Sequence, residues 1–220
     1  MQCIKDTIKN INIVIGCNIE CSYCYARMNN NRFHTIDDFN KPVFFENKLK
    51  MLDNKRHTAY LLTGQSDLSG WNEEWKDKVF SKMKENENTQ YIFLTKRPEN
   101  INLKETPDNG WFGVTVTSSK EKTRIDYLRN NIKAKHYHIT FEPMFDDVGK
   151  LDLNNISWIV IGTETGNRKG KIPSKREWVF NIYNQAKEKN IPVFMKEDLL
   201  GILNEDEFVQ EFPKEFGGIK

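Results

Sequence analysis

Short apolar runs alternate with longer amphipathic stretches along the chain, and this alternation sets the elements it should form. Ile11-Asn12-Ile13-Val14-Ile15 reads as a buried strand. Thr58 to Thr63, Tyr91 to Thr95, Trp111 to Thr117, His136 to Glu142, Ser157 to Ile161 and Ile191 to Met195 are runs of the same kind. Breakers end several of them: Gly64-Gln65-Ser66-Asp67 after the second, Pro98 after the third and Pro143 after the fifth. Between the runs, apolar residues recur at helical spacing. Asn40-Lys41-Pro42 is a start signal, and Phe44, Phe45, Leu49 and Leu52 predict a helix behind it. Trp71, Trp75, Val79, Phe80 and Met83 form one stripe on a helix from Trp71 to Glu85. Ser118 or Ser119 caps a helix running to Asn130, and another spans Ser174 to Lys189. Residues 25–30 open as a short helix, although Met28-Asn29-Asn30-Asn31-Arg32 is polar enough for a loop. The tail from Asn204 holds a short acidic helix expected to pack outside.

Strands alternating with helices predict βα units around a parallel sheet. The 220 residues suit one α/β domain, with a core over about 10–200 and 201–220 as a C-terminal extension. A full eight-fold barrel, which takes about 250 residues, would be cramped. A partial (β/α)6-type open barrel with parallel strands is therefore expected, and a flavodoxin-like open sheet is the alternative. Strand parity sorts the side chains. Tyr137, Ile139 and Phe141 should meet the helices, leaving His138, Thr140 and Glu142 to face the lumen; Phe112, Val114 and Val116 oppose Gly113, Thr115 and Thr117.

Charge adds little, because 33 basic and 31 acidic residues leave a formal +2 and no large field. Any nucleic-acid contact would need a local patch. Met1 to Asp6 lacks the apolar stretch of a signal peptide, and no run reaches membrane-spanning length, so a cytoplasmic location and no membrane partner are expected.

Cysteine placement changes the picture more. Cys17, Cys21 and Cys24 stand at C-x3-C-x2-C spacing directly after the first strand, and the remaining Cys3 lies fourteen positions upstream. Clustered thiols in such a chain point to metal binding before disulfides. Soft sulfur donors favour zinc or an iron-sulfur cluster. Structural zinc usually draws four ligands as two separated pairs, a pattern Cys3 does not complete. Three cysteines on a four-iron cluster would leave one iron open to a small molecule.

The loop Gly16-Cys17-Asn18-Ile19-Glu20-Cys21-Ser22-Tyr23-Cys24-Tyr25-Ala26-Arg27 resembles the cluster-binding loop of radical S-adenosylmethionine (SAM) enzymes, with the aromatic Tyr23 just before the third cysteine. Its second half is similar to the spore-photoproduct-lyase-like branch. Phe93-Leu94-Thr95-Lys96, Gly113-Val114-Thr115-Val116, Phe141-Glu142-Pro143 and Gly162-Thr163-Glu164-Thr165-Gly166 resemble a short phage-associated radical SAM subfamily of unassigned reaction; the similarity covers roughly residues 10 to 200. The resemblance implies a partial barrel, a [4Fe-4S] cluster on Cys17, Cys21 and Cys24, and SAM chelating the open iron. Cleavage of SAM would give methionine and a 5'-deoxyadenosyl radical.

The same resemblance places SAM against Gly64, Gln65, Ser66 and Asp67. The usual Gly-Gly-Glu is absent there, so Asp67 or Gln65 would substitute; the alternative is an ordinary βα loop with Asp67 or Ser69 capping the next helix. Thr95, Lys96, Thr117 and Ser118 follow strand ends and are placed to reach ribose hydroxyls or the carboxylate, with Lys96 in water as the alternative. Glu142, Glu164 and Lys196 are the candidate catalytic residues at the same mouth, and Glu197 or Asp198 would neutralise Lys196. Arg27 either supports the cluster or lies on the surface. His34 and His57 look like loop residues, and His136 and His138 lack a second ligand at metal-binding spacing. Cys3 is expected in a mobile terminus, and Trp71, Trp75, Trp158 and Trp178 in the core.

The leading expectation is a monomeric radical SAM enzyme served by a small electron donor of flavodoxin or ferredoxin type. It would abstract hydrogen from an unidentified substrate, with a nucleic acid base or nucleotide as candidate. Modification of a small metabolite or peptide, and a non-catalytic zinc-binding structural module, are the alternatives.

Overall fold

Runs of β-branched and aromatic residues pair side by side in the order in which they occur. The computed structural model describes residues 1–54 and 58–217, so His57 lies outside the described residues. In chain order the elements are α1 (Ile4–Thr7), β1 (Ile8–Asn10), β2 (Val14–Ile15), α2 (Tyr25–Phe33), β3 (Val43–Phe44), β4 (Ala59–Leu61), α3 (Glu73–Lys84), β5 (Gln90–Thr95), β6 (Gly110–Thr115), α4 (Thr123–Asn131), β7 (His136–Phe141), β8 (Ile156–Ile161), α5 (Arg176–Glu188) and β9 (Val193–Met195). One seven-stranded sheet runs β1-β4-β5-β6-β7-β8-β9, every pairing parallel, and curls into a half-barrel. This is the expected partial open barrel. Among the described residues no helix is long and apolar enough to cross a membrane.

Each face of the sheet buries its own apolar cluster, as parity requires. On the outer face Tyr91, Phe93, Phe112, Val114, Ile139, Phe141 and Ile159 pack with Val79, Phe80 and Met83 of α3, Ile125 and Leu128 of α4, and Val179 and Ile182 of α5. The concave face is apolar only towards the amino ends of its strands. Ala59, Ile92, Trp111, Trp158, Val160 and Phe194 meet Phe216 there, with Phe212 packed against them. The Trp111 and Phe216 rings lie 4.7 Å apart, and those of Trp158 and Phe216 5.3 Å.

The tail therefore does not pack outside. Its aromatics fill the floor of the lumen, while its backbone covers the free edge of β9 through Met195 N to Val209 O and Glu211 N to Val193 O, both 2.8 Å. Gln2 and Gln210 exchange hydrogen bonds of 2.7 and 2.8 Å, and the Cys3 thiol donates to Glu197 at 3.0 Å. These bonds hold the terminus on which Cys3 was expected to be mobile.

Local pattern failed in three further places, two of them overridden by longer-range pairing. The first parallel strand starts at Ile8, three residues before Ile11, and Val14–Ile15 instead pairs antiparallel with Val43–Phe44. That pairing takes Phe44 out of the expected helix; Glu46–Asp53 winds as a tight 3-10 stretch that still buries Leu52. Met28 to Arg32 is helical to Phe33, and its polarity reflects a surface helix in which only Ala26 and Asn30 are buried. Trp71 and Trp158 are buried as expected, while Trp75 and Trp178 only flank the core.

Midway up the concave wall His138 lies flat against Gly113, where an added Cβ would come within 2.4 Å of the ring. The ring is fully buried and sits 3.1 Å from the Phe93 carbonyl through Nε2. Burial lowers its pKa from 6.5 to about 4. The unfolded chain therefore takes up this proton first as pH falls. Stability is intact above about pH 6.5 and is lost progressively towards pH 4, by about 3 kcal/mol at most. His138→Gln should flatten this part of the pH profile of urea-unfolding free energy. An unchanged profile would contradict a buried neutral ring.

Candidate functional site

The carboxyl ends of the strands, where the concave face turns polar, are the functional side of a parallel barrel. The cysteine loop enters this side from Gly16, whose φ of +114° and backbone-tight setting, with an added Cβ only 2.8 Å from the Pro42 Cα, admit no side chain. Gly16 N donates to the Gln65 carbonyl at 2.9 Å and bridges to Ser66, so the loop is laid directly along the one following β4. Cys24 caps α2, its sulfur accepting from Arg27 N at 3.4 Å. Arg27 is a brace: its guanidinium donates to the Cys17 carbonyl at 2.7 Å and to Asn40 at 2.9 Å, and lies over the Phe39 ring.

All three loop thiols are free and partly exposed. Burial pushes the Cys17 thiol up to about 11, and Asp67, Cys21 and Cys24 push in the same direction. Cys21 and Cys24 are thus within electrostatic reach of the Cys17 sulfur, and a cation there would favour its thiolate. Among the described residues no three His, Cys, Asp or Glu side chains gather tightly enough to hold a single metal ion. A four-iron cluster sets its ligand sulfurs at separate corners of a cube, and three free thiols on one loop fit that donor set.

Tyr23 is half-buried, its ring edge-on to Phe145 at 5.5 Å and 5.8 Å beneath the Lys96 ammonium. Burial holds its hydroxyl well above the usual tyrosine range, with Cys21 next in effect. Sequence reasoning missed Tyr25, whose hydroxyl donates to the Gly64 carbonyl at 2.5 Å and lies within electrostatic reach of Cys24, Glu142 and Lys196. Its signal was position: the first helical residue after the last cysteine points back over the loop.

Asp67 is buried and accepts four hydrogen bonds from described residues: Ser69 N at 3.0 Å, Ser69 Oγ at 2.7 Å, Thr95 Oγ1 at 2.6 Å and Lys96 N at 2.8 Å. Its carboxylate thus caps the turn after β4, the alternative weighed for it, and also ties that turn to the end of β5. Thr95 is turned inward to the same bond. Ser66 Oγ accepts from the Trp71 indole at 3.0 Å, and Gln65 contributes its backbone carbonyl to Gly16. Thr117 gives both its N–H and its hydroxyl to Glu121 at 2.7 Å. The Ser118 side chain caps nothing, whereas Ser119 is held by Asp146.

Glu142 and Lys196 do come together at the mouth. Lys196 pairs with Glu142 and, at 3.2 Å, with Asp198, which also accepts from Thr163 N at 3.0 Å. Gly162 makes room for this group, since a Cβ there would lie 3.1 Å from Lys196 and 3.2 Å from Glu142 and Asp198. Burial opposes the Lys196 charge, but the two carboxylates outweigh it and hold the ammonium above its usual range. Burial also pushes Glu142 up, Lys196 pulling the other way and Asp198 adding to the rise. One cation between two carboxylates leaves acceptor capacity at the mouth.

Glu164 does not join them. Both its oxygens are taken by Arg168, at 2.5 and 2.8 Å, which lowers its pKa. His136 stacks on Trp111 at 4.3 Å, and His34 is the left-handed cap of α2. Neither these nor His138 approaches the cysteines through any described contact. Asp67→Asn, which keeps shape but places a donor against donors, should lower unfolding free energy by about 2 kcal/mol. A variant as stable as the parent in urea would show that the brace contributes nothing.

No curated protein and no solved structure matches this sequence. The model of a family described as a protein of unknown function, DUF5131, matches residues 2–217, from the terminus that pairs with the tail to the tail itself, and the chain belongs to that family.

Proposed function

We propose that this chain is a radical SAM enzyme. The observation that carries the reading is that three free thiols on one loop and the Lys196, Glu142 and Asp198 group lie at the same carboxyl side of a parallel half-barrel, with the Tyr25 hydroxyl in electrostatic reach of Cys24, Glu142 and Lys196. Cys17, Cys21 and Cys24 would hold the [4Fe-4S] cluster. Bound together, cluster and SAM would supply reductive cleavage of the sulfonium and hydrogen abstraction from a substrate.

The chain's own groups have definable tasks in that reaction. Gly64, Gln65 and Ser66 offer backbone polar groups beside the cysteine loop, held there by Gly16 and Tyr25. Asp67 and Thr95 position this loop, because their side chains are spent on each other. Lys96, Glu142 and Lys196 remain to contact SAM or substrate: the cations suit a carboxylate, and Glu142 suits a ribose hydroxyl, an ammonium group or a proton in transit. Thr117 and Ser118 offer the edge of the mouth, Ser118 with the freer hydroxyl. Glu164 enters only if Arg168 lets go. Aromatic packing closes the lumen floor, which leaves substrate the carboxyl side as its approach and shields a reactive radical from water below.

A small electron donor of flavodoxin or ferredoxin type, a cytoplasmic location and a monomeric state belong to the same proposal. The zinc module is the weaker reading, because it leaves the Lys196, Glu142 and Asp198 group at the mouth without a task.

Anaerobic reconstitution with iron and sulfide should load about four irons per chain, give brown absorbance, and yield 5'-deoxyadenosine on adding reductant and SAM. Cys21→Ala that keeps both iron and turnover would sink the assignment. Lys196→Met should retain iron yet lose turnover by a factor of about 100 or more, the order expected for removing a well-placed charged group from a closed site. Full turnover in that variant would remove Lys196 from the machinery.

A further inference from the structure

We infer that the cleft flanking the cysteine loop binds the phosphate of a nucleotide-type substrate, whether a free nucleotide or part of a single strand. The cleft has a volume of about 490 Å³, the size of a small-ligand site, and its walls include Ile19, Lys96, Arg97, Lys120, Arg124 and Tyr127. Ile19 lies between Cys17 and Cys21, so the cleft borders the loop itself. Lys96 belongs to both places, since its ammonium also stands over the Tyr23 ring.

Four cations face two carboxylates in this cleft, Glu99 and Glu121. Glu121 is already committed to Arg124 at 2.8 Å and to Thr117. Among the described residues Lys96, Arg97 and Lys120 form no ion pair, although the chain as a whole is nearly neutral. Like charges left together on a folded surface repel unless an anion joins them. Their backbone is fixed as well: Lys96 N is held by Asp67 and Arg97 N by the Thr95 hydroxyl at 3.0 Å. Tyr127, 46% exposed, adds an aromatic face on the same cleft. Cations gathered beside an open aromatic ring, two of them on a braced backbone, suit a phosphate with a base stacked next to it. The inference deepens the enzyme reading by naming its substrate class, and rests on that reading only for what becomes of the bound group.

The test is fluorescence anisotropy of the full chain with a short labelled single-stranded oligonucleotide and, in parallel, a labelled nucleoside monophosphate, whose unlabelled form serves as competitor. Binding should weaken steeply between about 50 and about 200 mM salt. Arg97→Gln with Lys120→Gln should weaken it about tenfold and reduce the slope of log affinity against log salt by about 1.4, with an unchanged melting midpoint; Lys120→Gln alone should remove about 0.7. Displacement by the monophosphate assigns the cleft to a free nucleotide, and failure to displace assigns it to a strand. No binding of either probe, or binding that the folded double variant leaves unchanged, overturns the inference. Cys21→Ala should bind as the parent does. Turnover can therefore fail with binding intact, which counts against the enzyme reading alone, or binding can fail with iron intact, which counts against this cleft alone.

Discussion

Asp67 is a carboxylate buried where three loops meet, and such burial is tolerable only when its oxygens are satisfied. Ser69, Thr95 and the backbone of Lys96 satisfy them, and in doing so lock the turn after β4 to the end of β5. The same turn is bonded on its other side to Gly16, the last residue before the cysteine segment. Loosen this junction and the thiols lose their fixed position relative to the barrel mouth. Lys96 would lose its place over Tyr23 as well. The placement of the chemistry thus follows from one hydrogen-bonded junction more than from any property of the cysteines.

A second constraint acts from below. An open half-barrel exposes two sheet edges and a lumen, and this chain covers the β9 edge and the lumen floor with its tail. The tail pairs with β9 and sends Phe212 and Phe216 beneath Trp111 and Trp158, while Gln2 ties the amino end to Gln210. The Lys196, Glu142 and Asp198 group thus stands above an apolar floor, at the carboxyl end of the concave face. A reactive group there would face an apolar floor and a mouth ringed by cations and carboxylates.

Much of the architecture was legible in period and parity. The strands from Tyr91 to Ile161 fall within a residue or two of their expected bounds, because each is a dense apolar run. Phe44 and Leu49 misled, because helical spacing carries no information about Val14 and Ile15 waiting to pair with Val43 and Phe44. Aromatic residues in the tail gave the floor away only in retrospect. At the site, Cys17, Cys21, Cys24, Glu142 and Lys196 could be named from their positions after strands. The fates of Thr117 and Glu164 could also have been read, since Glu121 and Arg168 each stand four residues on and reach back one turn. Tyr25 and the double duty of Asp67 needed the packing of loops far apart in sequence, 39 residues for Tyr25 and Gly64 and 28 for Asp67 and Thr95.

The central claim is that three thiols leave one iron of a four-iron cluster free to take SAM. Low-temperature electron paramagnetic resonance of the reconstituted, dithionite-reduced protein tests it most directly, with spectra taken before and after adding SAM. The account predicts the signal of a reduced [4Fe-4S] cluster whose g values shift when SAM is present, and no such signal from Cys21→Ala. A spectrum indifferent to SAM, or a colourless protein that takes up zinc and gives no iron-sulfur signal, would contradict it.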